Sequence, residues 1–394
     1  MKSTQASLGY ILILLASLTA LGPLAIDAYL PAIPTMATYF SRSIHDVELS
    51  LSIFLAGYSV GQLLGGPFSD HFGRRRTIFI GLLIFAVGTL GIILSTSLTG
   101  LLIFRFIEAL GGGIAIVNSG AIIRDISSGR DNATNMAHMA LIMMLAPLLA
   151  PMIGSTILHF TNWYSIFIFL FLYTLVIAFL INRHIPETRQ ASTEKTNALQ
   201  RYLEVLTHRP SLGYIFSFCF GFSGMFTFIT ASPSVYMGYF GVSENIFPFL
   251  FGANIIAMIA ANRLNVVLLK YHPPDKLITL GQLIQIICAL TLVTYILSFS
   301  TLYLPVVVVL IMLFVGSQSF IMSNANSSTL EFFPNSSGTA SALLGACGAA
   351  TAGLAGTVVG LTGDGTPLPM ALIMTGTVVC GISLRFMMQR GSNT

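Results

Sequence analysis

Apolar positions fill this chain in long runs, each closed by a short cluster of polar or helix-breaking residues. Twelve such runs can be marked, at about 8–30, 46–66, 76–96, 98–122, 134–158, 163–182, 211–236, 244–268, 276–299, 302–324, 338–361 and 367–389. Each comes close to or exceeds the ~18 residues a helix needs to cross a bilayer's hydrocarbon, so the pattern predicts twelve transmembrane helices. The longest polar interval, RHIPETRQASTEKTNALQRYLEVLTHRP at 183–210, falls between the sixth and seventh runs. It divides the chain into a six-helix bundle over 1–182, an amphipathic linker over 183–210 and a second six-helix bundle over 211–394.

Composition supports the same class. Of 394 residues, 55% are hydrophobic and only 8% charged, where a soluble domain carries about a quarter. The expected fold is an all-α membrane protein with two pseudo-symmetric halves. Lys2 followed by apolar residues and ASLTA resembles a secretory leader, but the run continues past that point and begins a series, which favours a retained span. With both termini placed in the cytoplasm, every lysine and arginine except Arg42 and Arg105 falls on the cytoplasmic side. That bias sets the orientation, and the net charge of +4 then reflects topology rather than nucleic-acid binding. The four cysteines lie within spans at no metal-like spacing, and the seven histidines form no HxxxH or HExxH pattern. No nucleophile–base pair stands out for a membrane enzyme, and no soluble module for a receptor.

A faint internal repeat fits two duplicated halves around a midplane site. LAPLLAPMIG in run five is matched by the small-residue GTASALLGACGAATAGLAGTVVG in run eleven. GPFSDHFGRRR after run two is answered by ANRLNVVLLKYHPPDK after run eight, which lacks the acid and the arginine triplet.

Charges inside the runs are the candidate chemistry, because ionisable groups at membrane depth usually pair and act. Asp27 lies in LAIDAYLPAIP at the outer end of the first run, and Arg105 in the fourth, roughly 10 Å below the outer surface at 1.5 Å per residue. Compatible depth suggests an Asp27–Arg105 pair whose balance shifts with hydration. Glu108, three residues after Arg105 on the same face, is the competing partner and an alternative proton carrier. In the seventh run Phe218, Phe222 and Phe226 recur every four residues; they read either as packing or as one apolar wall of a cavity.

The spacing GxxxDxxGRR, met here by Gly66, Asp70, Gly73, Arg74 and Arg75, exceeds what a positive-inside loop requires. With DAYLPAIP, RFIEALGGG, the prolines of APLLAPMIG, NWYSIF and PET, it makes the chain similar over nearly its whole length to the major facilitator superfamily. Within that superfamily it resembles the Bcr/CflA drug:proton antiporters. The resemblance implies export of small, largely apolar antimicrobials from a bacterial cell in exchange for protons, by alternating access in the inner membrane. It implies a monomer powered by the proton-motive force without a cofactor. It also implies a conformational latch in which Asp70 caps the eleventh helix and Arg74 bridges Asp70 to Asp125, with Gly66 and Gly73 shaping the loop. Pro147, Pro151 and Gly154 match the antiporter motif of the fifth helix, although Ala146 replaces its usual preceding glycine. Glu108 stands where the family more often has glutamine, and Tyr29 is a candidate for the substrate cavity. The nearest rival keeps the fold and changes the cargo to an endogenous metabolite or siderophore.

Overall fold

The computed structural model describes residues 8–127, 129–188, 198–334 and 336–389, and over these it is all-helical. Residues 189–197 of the linker expected over 183–210 lie outside the described residues. In chain order the helices are α1 (Leu8–Asp27), α2 (Ile33–Phe40), α3 (Ile44–Phe72), α4 (Arg74–Ile93), α5 (Leu98–Ile126), α6 (Gly129–Phe160) and α7 (Tyr164–His184). They continue as α8 (Ala198–Thr207), α9 (Arg209–Ser232), α10 (Phe247–Leu268), α11 (Pro274–Ser298), α12 (Leu304–Glu331), α13 (Ser337–Thr362) and α14 (Leu368–Gln389).

Among the described residues, eleven helical stretches are long and apolar enough to cross a membrane. The expected fifth span falls in the 32-residue α6, where Leu145–Phe160 is a shorter apolar stretch among the described residues. The core is apolar, as in a soluble protein, but large apolar side chains also cover much of the surface. Leu94, Phe179 and Leu354 are exposed, whereas Arg105, Glu108, Asn118 and Gln285 are buried. Hydrocarbon is a solvent for the former and excludes the latter, so polar groups turn inward and backbone groups pair within helices.

The chain forms two compact units, Met1–Thr35 with Ile53–Lys195 and Met36–Ser52 with Thr196–Thr394. Helix α3 therefore begins in the second unit and continues in the first. In the first unit α4 packs on α5 and α7, and α1 on α5, α6 and α7. In the second, α9 lies against α12, α13 and α14, while α12 also packs on α10 and α11.

Two spans are broken at prolines. The first does not end near residue 30 as its hydropathy suggests; it runs from Leu8 to Phe40, with α1 giving way to a 3-10 turn at Leu30–Ala32 before α2. Pro31 has no N–H to bond back to the Asp27 carbonyl, so the α-helical hydrogen-bond pattern cannot continue through it and the chain takes a 3-10 turn instead. Asp27 thus sits at a discontinuity inside the span instead of at its outer end. The seventh span breaks at the equivalent place, where α9 passes into a π-helical segment at Pro233–Tyr239. There the buried Glu48 accepts a 2.9 Å hydrogen bond from the Ser234 backbone N–H and lies 3.1 Å from His45 Nδ1. Glu48 supplies an acceptor for a buried amide just past the proline, where the helical bonding pattern changes.

Candidate functional site

The charged centre of the first unit is built on α5. Arg105 and Glu108 are one turn apart, and both side chains are fully buried. Arg105 Nη1 donates to Glu108 Oε2 at 2.7 Å, and the Thr89 hydroxyl donates to Glu108 Oε1 at 2.9 Å. Both guanidinium Nη atoms also donate to the Ala25 carbonyl at 3.1 Å. Because α1 ends at Asp27, that carbonyl belongs to the helix's last turn and lacks an intrahelical donor, so Arg105 fills a need the broken helix creates. The ring centroids of Tyr29 and Phe54 each lie 4.4 Å from Arg105 Cζ, and that of Phe167 lies 5.8 Å away. Aromatic faces are electron-rich and offset part of the cation's lost hydration.

The expected Asp27–Arg105 ion pair does not form here. Arg105 takes Glu108 as its carboxylate and reaches α1 only through the Ala25 carbonyl. The reason is local: a partner at i+3 on one helix face is in reach without ordering a second element. Asp27 is buried, and its Oδ1 has no hydrogen-bond partner. Tyr29, expected at the substrate cavity, is completely buried beneath Arg105.

Helix α6 reaches the same place from the other side. It continues through Pro147 and Pro151, and its Gly154 packs directly on the Ala28 carbonyl. No side chain fits at 154, because a Cβ would occupy the position of that oxygen. Gly154 thus brings α6 into backbone contact with the segment after α1, one residue past Asp27.

The connection between α3 and α4 is the second cluster. Arg74 Nη1 lies 3.0 Å from Asp70 Oδ1, and Arg74 Nε lies 3.3 Å from Asp125 Oδ2. This is the bridging geometry that the family resemblance implies, with Ser69 Oγ accepting from Arg74 Nη1 at 2.7 Å and Thr188 Oγ1 donating to Asp125 at 3.0 Å. Gly66 does not take part in the reversal: α3 continues through it to Phe72, and the turn is made by Gly73 alone, at φ +95°. Only glycine adopts that backbone without strain. Glu187, from the PET segment, caps α4 by accepting from the N–H groups of Arg74 (2.8 Å) and Arg75 (3.3 Å). A carboxylate there satisfies orphan donors and faces the positive end of the helix dipole.

In the second unit Phe218 and Phe222 stack at 5.9 Å between ring centroids, and Phe222 and Phe226 sit 4.6 Å apart. Phe218 and Phe222 pack against Gly348 of α13, with Phe218 and Phe226 buried and Phe222 half-buried.

The roles of several of these partners had no legible signal. Thr89, the Ala25 carbonyl and Glu187 are ordinary residue types whose role depends on a distant helix end. The two proline breaks could have been found, since DAYLPAIP and ASPSVYMGY occupy corresponding places in the two halves, and such interruptions mark binding sites in duplicated transporters.

The sequence pattern of the Major Facilitator Superfamily matches residues 15–357. The chain is 32% identical to the bicyclomycin resistance protein homolog of Haemophilus influenzae, over 96% of each. It is 30% identical to a chloramphenicol resistance protein of Pseudomonas aeruginosa, over 97% of this chain and 91% of that one. Its fold matches that of a bacterial homologue of the human lysosomal transporter Spinster with a TM-score of 0.74 at 15% identity, covering 97% of both chains. Broken first spans, the Arg74 bridge and sequence relatedness over nearly the full length converge: this chain is a multi-pass membrane transporter that belongs to the Major Facilitator Superfamily, and within it to the Bcr/CflA type.

Proposed function

We propose that this protein exports small, largely apolar antimicrobial compounds in exchange for protons, by alternating access in a bacterial inner membrane with both termini in the cytoplasm. The observation that carries the reading is Asp27, a buried carboxyl with an unpartnered oxygen, set at a break in the first span and beside the Gly154 contact of the antiporter motif. An acid without a fixed partner is the group free to exchange a proton as access alternates. Arg105 is held by Glu108 and serves as a neutralised support for α1. One proton crossing ~100 mV supplies ~2.3 kcal/mol, and each pH unit adds ~1.4 kcal/mol. Together these sustain a substrate gradient on the order of several hundredfold. The proton-motive force is the only power source required, no cofactor or enzymatic step enters, and one chain holds the whole site.

The test is expression in an efflux-deficient bacterial host challenged with antibiotics and dyes. Raised tolerance to at least one compound, abolished by an uncoupler, is the expected outcome. No shift for any compound would replace the drug with an endogenous metabolite or siderophore as cargo.

The Asp70–Arg74–Asp125 cluster is proposed as a conformational latch rather than a substrate site. Arg74→Ala is expected to slow transport several-fold while leaving equilibrium substrate binding within about twofold, because exposed or half-exposed ion pairs contribute only ~1 kcal/mol or less. Loss of binding in a folded Arg74→Ala protein would remove the latch assignment.

A further inference from the structure

Arg74 accounts for one residue of the arginine triplet, and the latch makes no use of the side chains of Arg75 and Arg76. Both line a cavity of about 800 Å³ between the start of α4 and the end of α7. Asn182 Oδ1 accepts from Arg75 Nη2 at 2.8 Å, which fixes one edge of that guanidinium and leaves its other donors available. Arg76 is exposed and makes no hydrogen bond or ion pair among the described residues. The rest of the wall is apolar: Phe72, Phe79 and Ile80 line it, and all three are exposed.

The helix N-terminus does not create this site, since Glu187 already occupies the Arg74 and Arg75 N–H groups. Glu187 also lines the cavity, so two guanidinium groups face one carboxylate and a single positive charge is left over. The combination is specific. A basic end calls for one anionic group, and an apolar wall on a membrane-spanning helix calls for a hydrocarbon chain. Free phosphate would satisfy only the first, and a zwitterionic lipid would bring its own cation.

We propose that the cavity between α4 and α7 binds one anionic phospholipid, its phosphodiester held by Arg75 and Arg76 and its upper acyl chain lying along Phe72, Phe79 and Ile80. Arginine suits the task because its planar fork offers paired donors to phosphate oxygens. Basic pockets between helices at the cytoplasmic surface select acidic headgroups for the same reason. In the proposed orientation the lipid comes from the inner leaflet. Its seat is then one residue from Arg74 and shares the Glu187 cap, so an occupied cavity steadies the segment on which the latch is mounted. The binding claim does not depend on what the protein exports.

Native mass spectrometry of the detergent-purified full chain, given equal amounts of dioleoyl phosphatidylglycerol and dioleoyl phosphatidylcholine, tests it directly. The wild type is expected to retain one phosphatidylglycerol in preference to phosphatidylcholine. The double variant Arg75→Gln/Arg76→Gln is expected to bind it about tenfold more weakly or worse, with phosphatidylcholine adducts unchanged. Arg76→Gln alone removes an exposed, partnerless group, so it tests the site without threatening the fold and is expected to give an intermediate loss. Equal retention of the two lipids, or unchanged phosphatidylglycerol binding in both variants, overturns the proposal. Complete displacement by millimolar inorganic phosphate also overturns it, by showing a free-anion site with no use for the acyl chain.

Discussion

Asp27→Asn is expected to leave the protein folded and able to bind its substrate while abolishing proton-driven export. The two side chains have nearly the same shape, and Asp27 Oδ1 has no hydrogen bond to lose. The melting temperature should therefore move by only a degree or two. The amide cannot titrate, so a carrier that needs to load and unload a proton at this position stalls in the coupled direction. Three measurements on one preparation decide it: thermal melting, substrate affinity, and proton release on adding substrate to detergent-solubilised protein. Stable protein that binds substrate and releases no proton supports Asp27 as the carrier. Wild-type proton release from Asp27→Asn would falsify the assignment.

Glu108→Gln is expected to produce a different failure, large in stability. The substitution keeps the size of the side chain but strips the counter-charge from an arginine that is completely buried. Breaking one member of a buried ion pair typically costs ~3–5 kcal/mol, because the remaining charge has lost its partner in a dry interior. For a unit of this size that corresponds to a fall in melting temperature on the order of 10 °C. Arg105→Met should be similarly damaging, as it leaves the buried Glu108 carboxylate with Thr89 as its one remaining donor and no counter-charge, and takes the guanidinium donors from the Ala25 carbonyl. The double variant Arg105→Met/Glu108→Met should recover much of the loss, since replacing both charges with apolar groups of similar volume is often near neutral. The cycle also separates the roles of the two acids. If Glu108 carried the proton, Glu108→Gln would abolish proton release in a protein of nearly wild-type stability; if it is the fixed partner of Arg105, stability falls first.

The division between what was legible and what was not follows from the range of the interactions. Asp27, Arg105 and Glu108 stand out in the sequence because a charge within an apolar run is costly wherever the run folds. Which two of them pair was not legible. The choice depended on a helix end at Asp27 that exposes the Ala25 carbonyl, and on the packing of α4 that brings Thr89 to Glu108. The Arg74 bridge was expected from the family resemblance that the GxxxDxxGRR spacing carries, since the spacing alone does not contain Asp125. Glu187 was not readable in its role, since a cap supplied from 113 residues away leaves no local trace.

The sequence by itself determined the class of the molecule: a chain of long apolar runs with few charges can satisfy its backbone in lipid only as helices, and its basic residues sort to one side. It also determined which residues carry unusual cost and are therefore candidates for function. Only the tertiary structure decided that the first span continues beyond Pro31 to Phe40, so that Asp27 lies at an internal break. Only the structure decided that Gly154 meets the Ala28 backbone, that Tyr29 is buried under Arg105, and that Arg105 belongs to Glu108. Hydropathy measures one residue against its solvent, whereas pairing, capping and close approach are set by which helix ends and faces arrive together.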